Sequence, residues 1–253
     1  MAAALALGWS SAETGPDNIV LSDLDPERAK ALADRTGART AGSNRDLADM
    51  VDVLVLATKP AALKTVAEET RVIVHDRDLP VVSILGATST ATIEQAFGEG
   101  VAVLRFMPNV AAEVRAGTFC YSPGASIDDG TMRSLLDLFG LLGDVIKVEE
   151  RLMEAATAIS GCGPAFFALV VESLTDAGVK EGLDARQASE LALTTMAGTA
   201  ELLRQRDAVS LRRAVTSPGG VTAVGVAKLE EYRVRAAFGA AVAAVVDKAQ
   251  SAR

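Results

Sequence analysis

Two segments of the chain combine glycine, proline and hydroxyl side chains in a way that suits anion binding. Val215-Thr-Ser-Pro-Gly-Gly-Val-Thr222 sets Ser217 and Thr222 around Gly219 and Gly220, just ahead of a helix-like stretch. Glycines let a backbone approach a ligand closely, a following helix offers free N–H groups, and the two hydroxyls add donors. The segment therefore reads as a cradle for a carboxylate; it reads equally as a helix–helix turn with ordinary capping. Ser160-Gly-Cys-Gly-Pro-Ala-Phe166 also puts two glycines and a proline between apolar helices. Its Gly161-Cys-Gly163 imitates part of a dinucleotide loop, but it follows a helix pattern and Pro164 comes next, which is the wrong context for that motif.

A third group of candidates lies at strand ends. Ser22-Asp23 closes one β-rich run, Thr58-Lys59-Pro60 a second, Gly86-Ala87-Thr88 a third and Met107-Pro108-Asn109 a fourth. Open parallel sheets bind ligands outside the carboxyl ends of their strands. Any one of these ends is an ordinary turn; four around one crevice suit a nucleotide. Asp23 stands where an acid accepts a ribose hydroxyl and repels a 2′-phosphate, so the expected cofactor preference leans to NAD or is relaxed.

The inventory excludes other chemistry. There is one histidine, His75, and there are two cysteines, Cys120 and Cys162. Ser–His–Asp and His–Cys catalysis, most zinc sites and a disulfide framework are therefore out, and no metal site is expected. His75 reads as a solvated loop residue and Cys120 as a buried strand residue. With 25 basic and 33 acidic residues the net charge is -8. An acidic chain without a basic stripe is a poor nucleic-acid binder.

The elements that must hold these residues follow from periodicity. Strands are predicted at Ile19–Ser22, Val51–Ala57, Val81–Leu85 and Val101–Phe106, with helices at Pro26–Thr36, Ala61–Glu69 and Thr90–Phe97 between them. That alternation predicts a parallel sheet of βαβ units. Phe119–Ser122 and Val145–Val148 read as two more strands around a helix at Asp128–Leu142. Beyond Glu149 only helices are predicted, the last at Arg233–Ala249 with an apolar stripe. The organisation is α/β over residues 1–149, then all-α over 150–253. The longest apolar runs fall far short of the ~20 residues of a membrane span. The apolar start, Met1–Trp9, lacks the basic region of a signal peptide. A soluble, cytoplasmic protein is expected.

Taken together these motifs resemble the pyrroline-5-carboxylate reductase family over nearly the whole chain. Thr58-Lys59-Pro60 resembles its lysine–proline turn after a Rossmann strand, and Arg105-Phe-Met-Pro-Asn109 its Arg-x-Met-Pro-Asn segment. Ser160-Gly-Cys-Gly-Pro-Ala165 resembles Ser-Gly-Ser-Gly-Pro-Ala, and Val215–Thr222 resembles the signature Thr-Ser-Pro-Gly-Gly-Thr/Ala-Thr. Cys162, Val221 and the order Gly86-Ala87 depart mildly from the family pattern. The resemblance implies a Rossmann-like domain followed by a helical domain that interlocks two chains. It implies NAD(P)H-dependent reduction of the cyclic imine Δ1-pyrroline-5-carboxylate to L-proline. Carried over to this sequence, Ser22 and Asn44 would contact the adenine-ribose side, and Ala57, Thr58, Lys59 and Pro60 would line the cofactor, with Gly86 and Ala87 at the next strand end. Ser217, Gly219, Gly220, Val221 and Thr222 would hold the substrate carboxylate, with Thr222 the catalytic candidate near the ring nitrogen.

The family's first strand and glycine-rich loop have no counterpart here, because Met1-Ala-Ala-Ala-Leu-Ala-Leu-Gly-Trp9 resembles the helix that follows them. The sheet is thus expected to be N-terminally truncated. It should show an open slot with Ile19–Ser22 and Val51–Ala57 on one side, Val81–Leu85 on the other, and Ala2–Gly8 as a helix alongside. Two alternatives stand beside this reading. One is a non-catalytic dimeric homologue, favoured by the absent loop. The other is a β-hydroxyacid dehydrogenase using Lys180 or Lys228, neither of which lies in a glycine-rich segment.

Overall fold

The computed structural model describes residues 1–251. These form two compact units: Met1–Cys162 with the end of the chain from Val245, and Gly163–Ala244. The first unit contains α1 (Ala2–Ser10), β1 (Val20–Leu21), α2 (Pro26–Thr36), β2 (Arg39–Thr40), α3 (Asn44–Met50) and β3 (Leu54–Leu56). It continues with α4 (Leu63–Asp76), β4 (Val81–Ser83), α5 (Thr90–Phe97), β5 (Val103–Met107), β6 (Gly117–Pro123), α6 (Asp129–Gly140), β7 (Gly143–Lys147) and α7 (Met153–Ala156). The helices start where sequence chemistry places them. Asp25, Ser43, Ser89 and Asp128 each accept a first-turn N–H at the N-termini of α2, α3, α5 and α6, satisfying donors that have no partner within the helix.

The main sheet runs β3-β4-β5-β6-β7. β3, β4 and β5 are parallel, as expected, but β6 runs antiparallel to β5 before β7 returns parallel to it. Beyond the parallel strands the sheet is thus mixed, because β5 and β6 are joined by a short 3₁₀ turn, Val110–Val114, and not by a crossover helix. β4 is buried along its whole length. On one face Val81 and Val103 pack with Leu63, Ala67, Ile93 and Phe97. On the other, Val82, Leu104 and Phe106 pack with Leu5, Trp9, Phe119 and Phe139. Phe106 and Phe139 stack with centroids 4.4 Å apart, Trp9 meets the edge of Phe139, and its indole N–H donates to the Leu138 carbonyl at 3.0 Å. α1 can lie against the 3₁₀ turn only because residue 8 is glycine: a Cβ there would stand 2.3 Å from the Ala112 carbonyl oxygen.

β1 and β2 pair only with each other, leaving the sheet open between β1 and β3. Leu54 N–H donates to the Pro80 carbonyl and Leu56 accepts from Ile84, so the alternation of a strand turns the main chain of Val53, Val55 and Ala57 to the opposite edge. Arg39 and Ala41 donate to Ile19 and Leu21 in the same way, turning Val20 toward the gap. A cavity of about 410 Å³ occupies it, lined by Ala2, Leu5, Val20, Val53, Val55 and Leu138 among others. The slot with a helix beside it is as expected, but its walls are not. It lies between Ile19–Ser22 and Val51–Ala57, since β3 pairs directly with β4. Arg39–Thr40 is a two-residue exposed strand without an apolar pattern, so the sequence does not reveal it, and the pairing order shifts by one strand. α3 escaped notice for a similar reason: Ala48 is its only buried residue.

The second unit is helical: α8 (Gly163–Lys180), α9 (Ala185–Leu203), α10 (Ala208–Ala214), α11 (Val221–Glu231) and α12 (Val234–Gln250), whose last residues group with the first unit. Asp184 and Asp207 cap α9 and α10. α8 and α9 approach closely at Gly178, where a Cβ would meet Ala188 Cβ at 3.1 Å. Little else is buried: α11 and α12 have no buried residue, and Phe167, Leu193, Leu229 and Tyr232 are all exposed. The helical run Glu150–Lys180 is long and apolar enough to cross a membrane by length and composition alone. Sequence reading did not anticipate this, because the glycines and proline at 161–164 interrupt the apolar run while the helix continues almost unbroken through a π-turn, Thr157–Gly161.

Candidate functional site

In the first unit the strand ends form a shelf of small and polar residues. After β1, Ser22 Oγ donates to Asn44 Oδ1 at 3.0 Å, and Asn44 in turn donates to Glu69 at 2.7 Å. The structure thus brings together two residues 22 positions apart. Asp23 Oδ1 accepts from Asp25 N–H at 2.9 Å, a local turn that leaves its second oxygen exposed. After β3, Ala57 packs at the edge of the core, Thr58 and Lys59 are exposed, and Pro60 opens a 3₁₀ turn, Pro60–Ala62. No acid pairs with the Lys59 ammonium among the described residues. After β4, Gly86 has no atom within 4 Å of where a Cβ would be, and Ala87 sits in the left-handed region at φ 52°. An alanine there is strained by on the order of 1–2 kcal/mol, so neighbouring contacts must hold it.

Those contacts involve residues that the sequence did not mark as functional. The Glu150 carboxylate accepts from Thr90 N–H at 2.8 Å and from Thr90 Oγ1 at 2.7 Å, clamping the first residue of α5, two positions past the Gly86–Thr88 turn. Arg105, on β5 and 1% exposed, donates to the same carboxylate at 3.0 Å. Burial raises the Glu150 pKa, but the Thr90 hydroxyl and N–H and the Arg105 guanidinium outweigh it and hold the carboxyl below the ordinary glutamate value. The available signal was Arg105 itself, the one charge in the apolar strand Val101–Met107; a buried charge needs a partner. After β5, Asn109 donates to the Ser160 carbonyl at 3.1 Å and accepts from Thr118 N–H. Cys120 is buried as expected, its sulfur 3.7 Å from Ser160 Oγ. His75 is exposed, as expected, but does not lie in a loop. It sits in the last turn of α4 with Nε2 2.9 Å from the Phe97 carbonyl, where α5 ends.

The second unit carries the glycine-rich turn. Gly220 N–H donates to the Ser217 carbonyl at 3.0 Å, closing a turn with Pro218 and with Gly219 at φ 70°. A Cβ on Gly220 would stand 2.5 Å from Ser217 Oγ. Gly220 is also the N-cap of α11 and supplies no side chain to it. The main-chain N–H groups of Val221 and Thr222 and the hydroxyls of Ser217 and Thr222 therefore face outward without partners among the described residues. Val221 is 90% exposed. The α10 start, by contrast, is closed by Asp207 accepting from Val209 and Ser210. The turn keeps a positive helix end and two hydroxyls available, an arrangement that holds a carboxylate. Lys228, one alternative catalytic lysine, is instead paired with Glu231 at 2.8 Å.

Comparison with known proteins finds the same pattern over both units. Residues 150–252 match the family profile for pyrroline-5-carboxylate reductase dimerisation, and residues 1–86 match that for NADP oxidoreductase, coenzyme F420-dependent. A pyrroline-5-carboxylate reductase of Methanosarcina acetivorans is 36% identical over 88% of this chain and 83% of its own length. That of Mycobacterium tuberculosis is 34% identical over 99% of this chain and 92% of its own. Among solved structures, the Coxiella burnetii enzyme superposes with TM-score 0.89 at 31% identity, covering 99% of this chain and 94% of its own. The Plasmodium falciparum enzyme with NADP bound gives TM-score 0.85 at 30% identity, covering 98% and 92%. A prephenate dehydrogenase of Aquifex aeolicus, 12% identical with TM-score 0.54, shares the fold alone.

Proposed function

The chain belongs to the pyrroline-5-carboxylate reductase family, and on that premise we propose how its own residues carry the reaction. The protein is an NAD(P)H-dependent oxidoreductase that reduces Δ1-pyrroline-5-carboxylate to proline and assembles as a homodimer. The observation that carries the residue assignments is the uncapped start of α11, with its free N–H groups and hydroxyls, on the family's signature segment.

The shelf in the first unit fits a polyhydroxylated, anionic cofactor. Ser22 and Asn44 offer hydroxyl and amide groups to a ribose, Lys59 an unpaired cation, and Ala57, Thr58, Pro60, Gly86 and Ala87 small, open surfaces. The free oxygen of Asp23 supports a lean toward NAD. When bound, NAD(P)H supplies the hydride for the imine carbon. The protein's part is to bind and orient. Ser217, with the N–H groups around Gly219, Gly220, Val221 and Thr222, holds the substrate carboxylate. That contact leaves the Thr222 hydroxyl to accept the iminium N–H, so the charge on nitrogen that makes the carbon electrophilic is kept in place. No histidine is needed for this, which agrees with a chain that has one, placed at a helix end. The exposed apolar faces of α8, α9 and α11 support the helical unit as the dimer surface.

Thr222→Ala tests the assignment. A hydrogen bond to a charged group is worth roughly 1.5–3 kcal/mol, so kcat/KM for the imine should fall about ten- to a hundredfold. The dissociation constant for NAD(P)H should stay within about twofold, as expected of a residue that does not touch cofactor. An unchanged kcat/KM makes Thr222 only a helix residue.

A further inference from the structure

Arg105, Glu150 and Thr90 come from a strand, a 3₁₀ turn and a helix start, and they meet behind the turn that follows β4. The guanidinium is almost wholly buried, its Nε has no hydrogen-bond partner, and its ion pair in the structure is to Glu150. Glu150 spends both oxygens on Thr90, the first residue of α5. α5 does not need it as a cap, because Ser89 already accepts the Thr92 N–H at 3.1 Å. The carboxylate therefore fixes where α5 begins and so bounds the turn that precedes it. That turn contains Ala87 in the left-handed region and Thr88, whose hydroxyl donates back to the Gly86 carbonyl. An alanine leaves that conformation unless something holds it.

We propose that Glu150, anchored by buried Arg105, is a positioning residue for the cofactor: its grip on Thr90 holds the Gly86–Thr88 turn in the shape that receives NAD(P)H. The inference rests on the reading that Gly86 and Ala87 line the cofactor. Neither Arg105 nor Glu150 needs to touch it. Removing the carboxylate frees the start of α5, lets Ala87 relax to negative φ, and reshapes the turn. The consequence falls on cofactor affinity and leaves the imine's cradle, on the other unit, untouched.

The experiment measures KM for NAD(P)H and KM for the imine separately in the dimeric enzyme, for Glu150→Ala, Thr90→Val and Gly86→Val. Glu150→Ala should raise KM for NAD(P)H roughly tenfold, the equivalent of one lost charge-assisted contact. KM for the imine should stay within about twofold, a split that general destabilisation does not produce. Thr90→Val removes one of the two Thr90 bonds and keeps the ion pair, so it should shift the same constant in the same direction by a smaller factor; it also serves if Glu150→Ala does not fold. Gly86→Val tests the underlying reading, because no atom lies within 4 Å of where a Cβ at that position would stand. If Gly86→Val raises KM for NAD(P)H while a folded Glu150→Ala or Thr90→Val does not, the positioning role is overturned and the cofactor reading stands. If Gly86→Val leaves it unchanged, the cofactor reading fails and the proposal falls with it.

Discussion

Phe106, Phe119 and Phe139 of the α/β unit are fully buried, whereas Phe167, Leu193 and Leu229 of the helical unit are 62%, 57% and 57% exposed. The two regions have similar apolar content but solve burial differently. A sheet with helices on its faces closes a core from its own elements. Helices α8, α9 and α11 leave large apolar residues exposed among the described residues, and the match of residues 150–252 to a dimerisation family supports a second copy of the chain as their cover. The first unit's stability is therefore expected to be internal, and the second's to depend on the pair and so on protein concentration.

The strongest way to break that contrast is to charge the exposed faces. Phe167→Asp with Leu193→Asp would cost almost nothing on a solvated surface. In a dimer core it should cost more than about 4 kcal/mol, weakening association about a thousandfold. Light scattering should then report monomers at micromolar concentration, with loss of helical signal by circular dichroism; a dimer of normal stability would refute the assignment of these faces. The matching change in the first unit is Phe139→Ala, which removes a ring stacked on Phe106 and in edge contact with Trp9. It should cost about 3–5 kcal/mol. Its effect on the melting temperature should be the same at high and low protein concentration.

Two smaller tests sharpen the contrast within the α/β unit. The main sheet is closed at β4 but open at β3, so hydrogen exchange should differ between them. The amides of Val20 and Val55, which face the slot, should exchange roughly a hundredfold or more faster than those of Val82 and Leu104. A segment pairing in the slot would erase that difference. The smallest effect concerns pH. Glu150 has a lowered pKa in the folded protein, so its contribution is present above the unfolded pKa and is lost as pH falls through the folded one. The melting-temperature gap between the wild type and Glu150→Gln should be constant near neutrality and close in acid below the ordinary glutamate range.

The sequence alone determined the architecture and the chemistry on offer. Strand periodicity located β3, β4 and β5, and the glycine, proline and hydroxyl spacing at 215–222 marked the turn that leaves α11 uncapped. The single histidine removed most rival mechanisms. These features are local: a few neighbouring residues set a strand's alternation, a turn's φ and a cap's reach. Arg39–Thr40 and Asn44–Met50 were illegible because they bury almost nothing and so carry no apolar pattern. Only the tertiary structure decided that β3 lies against β4 and leaves its other edge open. Only it decided that Arg105 finds Glu150 45 positions away, and that Glu150 reaches Thr90 60 positions back. Which strand neighbours which, and which charge meets which, depend on how separate segments pack, and no local pattern encodes a partner that distant.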